Sequence, residues 1–256
     1  MKMGVPGSYS LRIRSVIARL RPQAAAGDPS AMEQLGVWYR DGERDRRGRV
    51  LVARAPKAAF RLISGAVTKS HGKTGALSLA GLYDCGIGTK PNWKLALHWY
   101  RRALRDVPGT AAYNIATVYR DRRKFHLMLA WWLRAAKAGD GEAAADVGYC
   151  YQYGIGARKD RTAARHFYGK AIASRDISEL GREAGLYYLA VLEIDGGRTR
   201  QAIPLLRRAA KDKDYPQAMV LLDQIRARSK VVPCRCRRDI NKNLPGHARC
   251  PLHPQK

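Results

Sequence analysis

Two stretches of the chain carry the same pattern of residues, and this pattern decides the fold. The first reads LYDCGIG at residues 82–88 and continues to ALHWYRRA at residues 96–103. The second reads YQYGIG at residues 151–156 and continues to ARHFY at residues 164–168. In each, an aromatic residue precedes a Gly-Ile-Gly turn, and an aromatic pair stands three residues after an alanine. The sequence therefore contains an internal repeat, which has to be identified before any single helix is interpreted.

The second part of this pattern recurs five times along the chain. An apolar or aromatic pair is followed three positions later by a small residue, and these small residues are spaced 37, 32, 36 and 38 residues apart. They are Ala66, Ala103, Ala135, Ala171 and Ala209. A further apolar residue three positions before each pair completes the i, i+3, i+4, i+7 spacing of a helix with one apolar face. The sequence predicts about five units, each containing a helix of this kind.

The preceding helix of each unit has a small residue, a second small residue five positions later and an aromatic residue three positions beyond that. The four units that follow this rule carry Ala31, Gly36 and Tyr39; Gly75, Ala80 and Tyr83; Ala111, Ala116 and Tyr119; and Ala143, Gly148 and Tyr151. Small residues let two helices approach closely while the aromatic residue fills the gap between them. The fifth unit retains only Ala184, with Leu189 and Leu192 at the other positions, which predicts a differently packed seam.

Ten aromatic residues are predicted to pack between the helices of the repeat. They are Tyr39, Tyr83, Trp99, Tyr100, Tyr119, Trp131, Trp132, Tyr151, Phe167 and Tyr168. Because the repeat itself requires these side chains, their abundance does not indicate a site for stacking a ligand.

The period and the motifs resemble the Sel1-like repeat, a relative of the tetratricopeptide repeat, over about residues 24 to 225. One such unit cannot bury its apolar face alone, so we expect an all-α, right-handed α-solenoid of stacked helix-turn-helix repeats. A basic N-terminal capping helix at residues 1–23 and a short irregular tail at residues 226–256 are expected to flank it. The resemblance implies a non-enzymatic scaffold or adaptor that binds a partner protein or peptide on its concave face.

The chain is strongly basic, with 48 Lys and Arg against 21 Asp and Glu and a net charge of +27. Such a surface attracts polyanions. Part of the excess lies outside the requirements of the repeat: in an exposed, mobile loop expected from Arg40 to Pro56, in the connection from Arg120 to Lys124, and in the tail. The candidate anion-binding residues are Arg44, Arg46, Arg47, Arg49, Arg122, Arg123, Lys124, Arg235, Arg237 and Arg238.

Two kinds of partner follow from this charge. The leading prediction is an acidic protein or peptide, and the alternative is nucleic acid held through its phosphate backbone by the basic loop and tail. Because Arg and Ala are abundant throughout the chain, a purely compositional origin of the charge stays open.

The tail concentrates three cysteines and two histidines in its last 23 residues. Zinc prefers four thiolate or imidazole ligands in a tetrahedron, and two short-range pairs provide that set. The candidate ligands are Cys234, Cys236, Cys250 and His253, with His247 as an alternative fourth ligand. The Cys-x-Cys spacing leaves open a disulfide or no joint role. A catalytic zinc is not favoured, because Asp239 is the one carboxylate of the segment.

Other function classes find little support in the sequence. No run of residues is long and apolar enough to span a membrane. Arginines interrupt the apolar residues near the N-terminus, which does not fit a signal peptide. A cytoplasmic protein with reduced thiols is therefore expected, and a secreted effector is the alternative. Gly72-Lys73-Thr74 lacks the first glycine of a phosphate-binding loop, because Val67 stands there. No nucleophile, base and orienting acid can be assembled from the spacing, which argues against an enzyme. The oligomeric state is not encoded in any pattern.

Overall fold

The computed structural model describes residues 6–211 and 215–230, and this part of the chain is almost wholly helical. Its elements are α1 (Pro6–Ala26), α2 (Pro29–Asp41), β1 (Glu43–Arg44), β2 (Val50–Val52), α3 (Pro56–Lys69), α4 (Ala76–Cys85), α5 (Trp93–Ala103), α6 (Pro108–Asp121), α7 (Phe125–Lys137), α8 (Gly141–Tyr153), α9 (Arg161–Ala173), α10 (Glu179–Asp195), α11 (Thr199–Ala209) and α12 (Pro216–Lys230). Helices that are adjacent in the chain pack on one another, and the packing is most extensive within the pairs α2–α3, α4–α5, α6–α7, α8–α9 and α10–α11. The predicted all-α solenoid is confirmed.

The repeating unit is an antiparallel pair of helices, called here helix A and helix B. The A helices are α2, α4, α6, α8 and α10, and the B helices are α3, α5, α7, α9 and α11. In every unit the second residue of the B-helix pair is buried against helix A; these residues are Ile63, Tyr100, Trp132, Tyr168 and Leu206. A small residue on helix A makes room for it. A Cβ atom at Gly36 would lie 2.5 Å from Ile63 Cγ1.

One backbone hydrogen bond closes the turn between helix A and helix B in all five units. The residue that caps helix B donates its N–H to a carbonyl at the end of helix A. The donor and acceptor residues are Ala55 and Tyr39 (2.8 Å), Asn92 and Tyr83 (2.7 Å), Lys124 and Tyr119 (2.9 Å), Asp160 and Tyr151 (2.9 Å), and Arg198 and Glu193 (2.8 Å). The bond is independent of turn length, so it fixes which residues of different units correspond.

This bond corrects the alignment of the fifth unit by one residue. Glu193 accepts it and therefore occupies the place of the aromatic residue in the other units. Counting back along helix A, the two small residues are Gly185 and Ala190, both buried, rather than Ala184 and Leu189. The seam of this unit follows the common pattern of small residues and differs in ending on a buried carboxylate.

The insertion of the first unit is a short β-hairpin rather than the predicted mobile loop. Strands β1 and β2 pair antiparallel, with Glu43 opposite Val52. The Asp45 carboxylate accepts the backbone N–H groups of Arg47 and Arg49 at 2.9 Å and so closes the turn between the strands. Val52 is buried against α1 and α2, which anchors the hairpin to the apolar core. The residues from Arg44 to Arg49 remain at the surface of the hairpin, apart from the half-buried Asp45.

Helices at both ends cover the apolar faces of the terminal units. Ile13, Ile17 and Leu20 of α1 pack against α2 and the hairpin. Ala218 and Leu222 of α12 pack against α10 and α11. Within residues 6–211 and 215–230, no helix has the length and apolar character needed to cross a membrane.

Candidate functional site

A group of tyrosines forms a continuous aromatic surface on the A helices of units four and five. This tyrosine face consists of Tyr149 and Tyr153 on α8, Tyr187 and Tyr188 on α10, and Tyr215 immediately before α12. The ring centroids are 4.5 Å apart for Tyr149 and Tyr153, 5.2 Å for Tyr149 and Tyr188, 5.3 Å for Tyr187 and Tyr188, and 5.2 Å for Tyr187 and Tyr215. Aromatic pairs attract one another at these separations, so the rings form one connected cluster.

The helix geometry explains why these rings meet. Tyr149 and Tyr153 are four residues apart and therefore lie on one side of α8. Helix α10 runs beside α8, which brings Tyr188 against Tyr149. Beneath them the buried ring of Tyr168 stacks on Tyr188 at 6.2 Å, and its hydroxyl donates to Gln152 Oε1 at 2.7 Å. This hydrogen bond fixes the position of Tyr168 beneath the cluster.

The upper part of the tyrosine face is accessible to solvent. Tyr153 is 41% exposed, and the other four rings are half-buried. The hydroxyls of Tyr188 and Tyr215 share a hydrogen bond across the gap between α10 and α12. Burial raises the pKa of both groups above the ordinary value for tyrosine, so the hydroxyls stay protonated and able to donate hydrogen bonds at neutral pH.

Carboxylates lie next to the tyrosine face. Asp146, one turn before Tyr149 on α8, forms a hydrogen bond with the hydroxyl of Tyr113 on α6. Burial raises the pKa of Asp146 to about 6, and the Tyr113 hydrogen bond and the nearby Arg120 only partly oppose that effect. Glu142 at the start of the same helix accepts hydrogen bonds from the Ser178 backbone and hydroxyl at 3.0 and 2.6 Å. This part of the surface is therefore locally acidic on a basic protein.

An ion-pair cluster around a buried carboxylate also joins units four and five. Glu193, 6% exposed, accepts a hydrogen bond from Arg165 Nε of α9 at 2.7 Å and another from Arg198 Nε. Burial alone would raise the pKa of this carboxyl, but the hydrogen bonds of the two arginines outweigh it and hold the pKa below its ordinary value. Glu193 therefore links the turn of unit five to the B helix of unit four.

The arginines predicted to bind anions in the first unit lie on the hairpin and are partly engaged within it. Arg44 donates to the carbonyl of Gly48 at 2.8 Å, and Arg49 pairs with Asp45 at 2.7 Å. Arg46 and Arg47 are exposed, with no ion pair among the residues that the structure describes. Arg49 is thus the one of these four hairpin arginines with an acidic partner in the described part of the chain, and the side chains of Arg46 and Arg47 project into solvent.

The basic residues predicted in unit three lie in the turn between α6 and α7. The Arg122 guanidinium covers the ring of Trp93 at 4.1 Å, an arrangement typical of a cation–π contact. Both border an open groove of about 460 Å³ that also includes Asp84 and Asp121. Arg123 has a positive φ of 57° and is exposed, and Lys124 caps α7.

The predicted zinc ligands and the basic residues of the tail lie outside the described residues. They are Cys234, Cys236, His247, Cys250, His253, Arg235, Arg237 and Arg238. Within residues 6–211 and 215–230, no three His, Cys, Asp or Glu side chains come together as a metal site. Cys85 and Cys150, the cysteines in that part of the chain, are free thiols. The zinc site therefore stays a prediction.

The ten predicted packing aromatics are all buried or half-buried between helices, whereas the tyrosine face was not among the predicted sites. Tyr149, Tyr153, Tyr187, Tyr188 and Tyr215 stand off the seam positions of the repeat. The available signal was that these five of the 13 tyrosines fall within residues 149–215 at positions that the repeat pattern does not include.

Comparison with known proteins identifies the repeat. The Sel1 repeat family matches residues 29–51, 75–106, 129–140 and 141–176. These matches fall on the units that the turn hydrogen bonds define, and the structure adds α10 and α11 as a further unit. The chain is a Sel1-like repeat protein.

Solved structures share the fold of this Sel1-like repeat protein. A Sel1 repeat protein from Oxalobacter formigenes has a TM-score of 0.59 at 22% identity, covering 75% of each chain. A protective antigen of uropathogenic Escherichia coli that displays an SLR fold has a TM-score of 0.53 at 21% identity, covering 83% of this chain and 52% of the antigen. BtubC from P. vanneervenii has a TM-score of 0.51 at 17% identity, covering 82% and 90%.

One curated relative is similar in sequence. The chitin synthase regulator SKT5 of Saccharomyces cerevisiae is 27% identical over 201 residues, which is 72% of this Sel1-like repeat protein. The chain spans 28% of the length of that regulator.

Proposed function

We propose that this protein is a non-enzymatic, cytoplasmic scaffold that binds a segment of a partner protein on the tyrosine face. The observation that carries the proposal is the connected, accessible cluster of Tyr149, Tyr153, Tyr187, Tyr188 and Tyr215. Tyrosines are enriched at the energetic centres of protein interfaces, because a rigid ring offers a large contact area and the hydroxyl can donate a hydrogen bond. The Sel1 repeats support an interaction role.

The charge around the tyrosine face favours a basic and apolar partner segment at this place. Asp146 and Glu142 lie on the same helix as two of the rings, and Asp195 acts electrostatically on Tyr153. Lys or Arg side chains can pair with these carboxylates and also stack on tyrosine rings. An acidic partner remains a prediction for other parts of the basic surface.

The arrangement of the A helices supports identifying the tyrosine face with the concave side of the solenoid. The A helices α8 and α10 touch through Tyr149 and Tyr188, two rings that lie on the face itself. In a superhelix, elements approach one another most closely on the inner side of the curve, and extended concave surfaces are where such repeats bind their partners.

Two further observations support a binding role over catalysis. The yeast relative is a regulator of chitin synthase, which fits a protein that acts by contacting another protein. The groups of this chain with strongly shifted pKa, such as Asp146 and Cys150, are explained by burial within helix packing.

Selection of peptides tests the proposal. Immobilised full-length protein is presented with a random peptide library, and the selected peptides are measured by fluorescence anisotropy. We expect enrichment of Arg or Lys beside apolar residues. Because truncated hot-spot side chains each cost more than about 1 kcal/mol, the Tyr153→Ala and Tyr187→Ala double variant should bind about tenfold or more weakly.

Phe125→Ala is the matched control, since Phe125 is a 36% exposed aromatic residue on a B helix, away from the tyrosine face. It should leave peptide affinity unchanged. Circular dichroism confirms that both variants remain helical. The proposal fails if no peptide is enriched, or if the selected peptides bind the tyrosine variant and the wild-type protein equally.

A further inference from the structure

The turns between helix A and helix B lie side by side along one edge of the solenoid. This turn edge comprises residues 40–56, 86–94, 120–124, 154–161 and 195–200. It is continuous, because each turn packs on the start of the preceding unit's B helix. A Cβ at Gly88 would overlap the carbonyl oxygen of Pro56, and a Cβ at Gly156 would overlap that of Phe125.

The remaining two junctions are closed by arginines. Arg122 of unit three covers Trp93 at the start of α5 in unit two. Arg161, at the start of α9 in unit four, donates to the carbonyl of Leu192 in unit five at 3.0 Å. All five turns therefore form one uninterrupted surface.

Positive charge is concentrated on this edge. Its five stretches contain 17 Lys and Arg against 6 Asp and Glu, a net charge of +11. The four connections from one unit to the next, at residues 69–76, 103–108, 137–141 and 173–179, lie at the opposite edge and contain 5 Lys and Arg against 4 Asp and Glu, a net charge of +1. Lys and Arg make up 17 of the 45 residues at the turn edge and 5 of the 26 at the opposite edge, so a uniform bias in composition does not account for the difference.

The acidic residues of the turn edge do not neutralise it. Three of the six pair with a neighbouring arginine: Asp41 with Arg40 at 2.7 Å, Asp45 with Arg49 at 2.7 Å, and Asp121 with Arg120 at 3.2 Å. The exposed cations that have no ion pair within the described part of the chain include Arg46, Arg47, Arg123, Lys124, Arg158 and Lys159. They come from units one, three and four and are spread along the edge.

We propose that the turn edge binds the phosphate backbone of nucleic acid without reading its bases. Protein interfaces need an apolar centre, and Val50 is the single exposed large apolar side chain in these five described stretches. Phosphate contacts need only well-spaced cations. The ring of Trp93 is already covered by Arg122, so it is not available for base stacking. This surface borders the tyrosine face at Tyr153 and Asp195 but includes none of its five rings, and the proposal does not depend on the proposed scaffold function.

Salt-dependent binding of a fluorescein-labelled duplex DNA, a duplex RNA and a single strand tests the proposal. Fluorescence anisotropy of the full chain is recorded between about 50 and 200 mM KCl. The turn-edge variant changes Arg46, Arg47, Arg123, Lys124, Arg158 and Lys159 to Gln. The control variant removes the same amount of charge by changing to Gln the five cations of the opposite edge, Lys69, Lys73, Arg105, Lys137 and Arg175, together with Lys211, which follows α11.

We expect the turn-edge variant to bind about tenfold or more weakly at about 50 mM KCl, with a shallower salt dependence, because each lost phosphate contact reduces the slope by about one. The control should lose less than about threefold. Equal weakening of both variants would indicate diffuse attraction and overturn the proposal. Unchanged binding by the turn-edge variant would overturn it as well, as would binding of polyglutamate in place of every nucleic acid.

Discussion

Arg123 and Gly197 occupy the same position in the turns of units three and five, and both have positive φ, 57° and 75°. The residue after each donates the N–H that closes the turn, to Tyr119 in one unit and to Glu193 in the other. Glycine adopts this left-handed conformation without strain, whereas a residue with a Cβ pays about 1–2 kcal/mol for it. Unit three therefore holds a strained arginine where unit five has the residue suited to the turn.

Replacing that arginine should stabilise the protein. Arg123→Gly removes the strain but also increases the entropy of the unfolded chain, so a net gain of about 0.5–1 kcal/mol is expected. Gly197→Ala should have the opposite sign. Urea unfolding followed by tryptophan fluorescence measures both. A less stable Arg123→Gly variant would mean that the arginine makes a stabilising contact that outweighs its backbone strain.

Two glycines on neighbouring helices should respond in opposite directions to alanine. A Cβ at Gly148 would lie 2.7 Å from the ring of the buried Tyr168, so Gly148→Ala should cost about 1–3 kcal/mol as the ring is displaced. Gly169 lies in α9 with nothing within 4 Å of its added Cβ, so Gly169→Ala should stabilise the helix by about 0.5–1 kcal/mol. Thermal unfolding distinguishes them. Equal effects would contradict the close packing of α8 on α9.

The helix pairs could be predicted from sequence because each buries a regular apolar stripe, and periodicity reports such a stripe directly. The alignment of unit five with the other units could not be predicted in this way. Glu193 looks like a surface residue until the fold brings in Arg165 from 28 positions earlier. Alignment of unit five on Ala184 places Leu192 at this position, one residue before Glu193.

The sequence pattern did not predict the tyrosine face, for a related reason. Tyr149 and Tyr188 belong to different units and stand off the seam, so only the stacking of α8 on α10 brings them together. The sorting of charge to the turn edge is likewise invisible in the total of +27, because it depends on which connections share an edge.

The tail should carry zinc if its cysteines act together. Protein prepared under reducing conditions without chelator is expected to contain about one zinc per chain. A Cys234→Ser and Cys236→Ser double variant should lose the metal, while Cys85→Ser, which changes a thiol far from the tail in sequence, should keep it. Metal content is measured by atomic emission. Absence of zinc from the wild-type protein would remove the site and leave the disulfide or the unpaired thiols.

The buried carboxylate of Glu193 should stabilise the junction of units four and five at neutral pH. Its pKa is lowered in the folded state, so its contribution is present above the pKa of the unfolded chain and is lost as the pH falls through the lower, folded value. Because both arginines are 41% exposed, solvent screens the pair, and Glu193→Gln should cost about 1–2 kcal/mol at pH 7. The difference from wild type should shrink below about pH 4. A difference that is constant with pH would show that charge is not the cause.

Asp146 should show the opposite dependence on pH. Its pKa is about 6 in the folded protein, against about 3.9 for an unperturbed aspartate, so the unfolded chain releases this proton first as the pH rises. Ionisation thus destabilises the fold progressively between about pH 4 and pH 6, by up to about 2–3 kcal/mol. Asp146→Asn keeps an oxygen that can accept from Tyr113 and removes the buried charge. We expect it to exceed wild type in stability above about pH 6 and to match it near pH 4. Urea unfolding across this range measures the difference.

Asp223→Asn, at an exposed position on α12, is the control and should show no such trend. A stability gain for Asp146→Asn that does not vary with pH would refute burial of the charge as its origin.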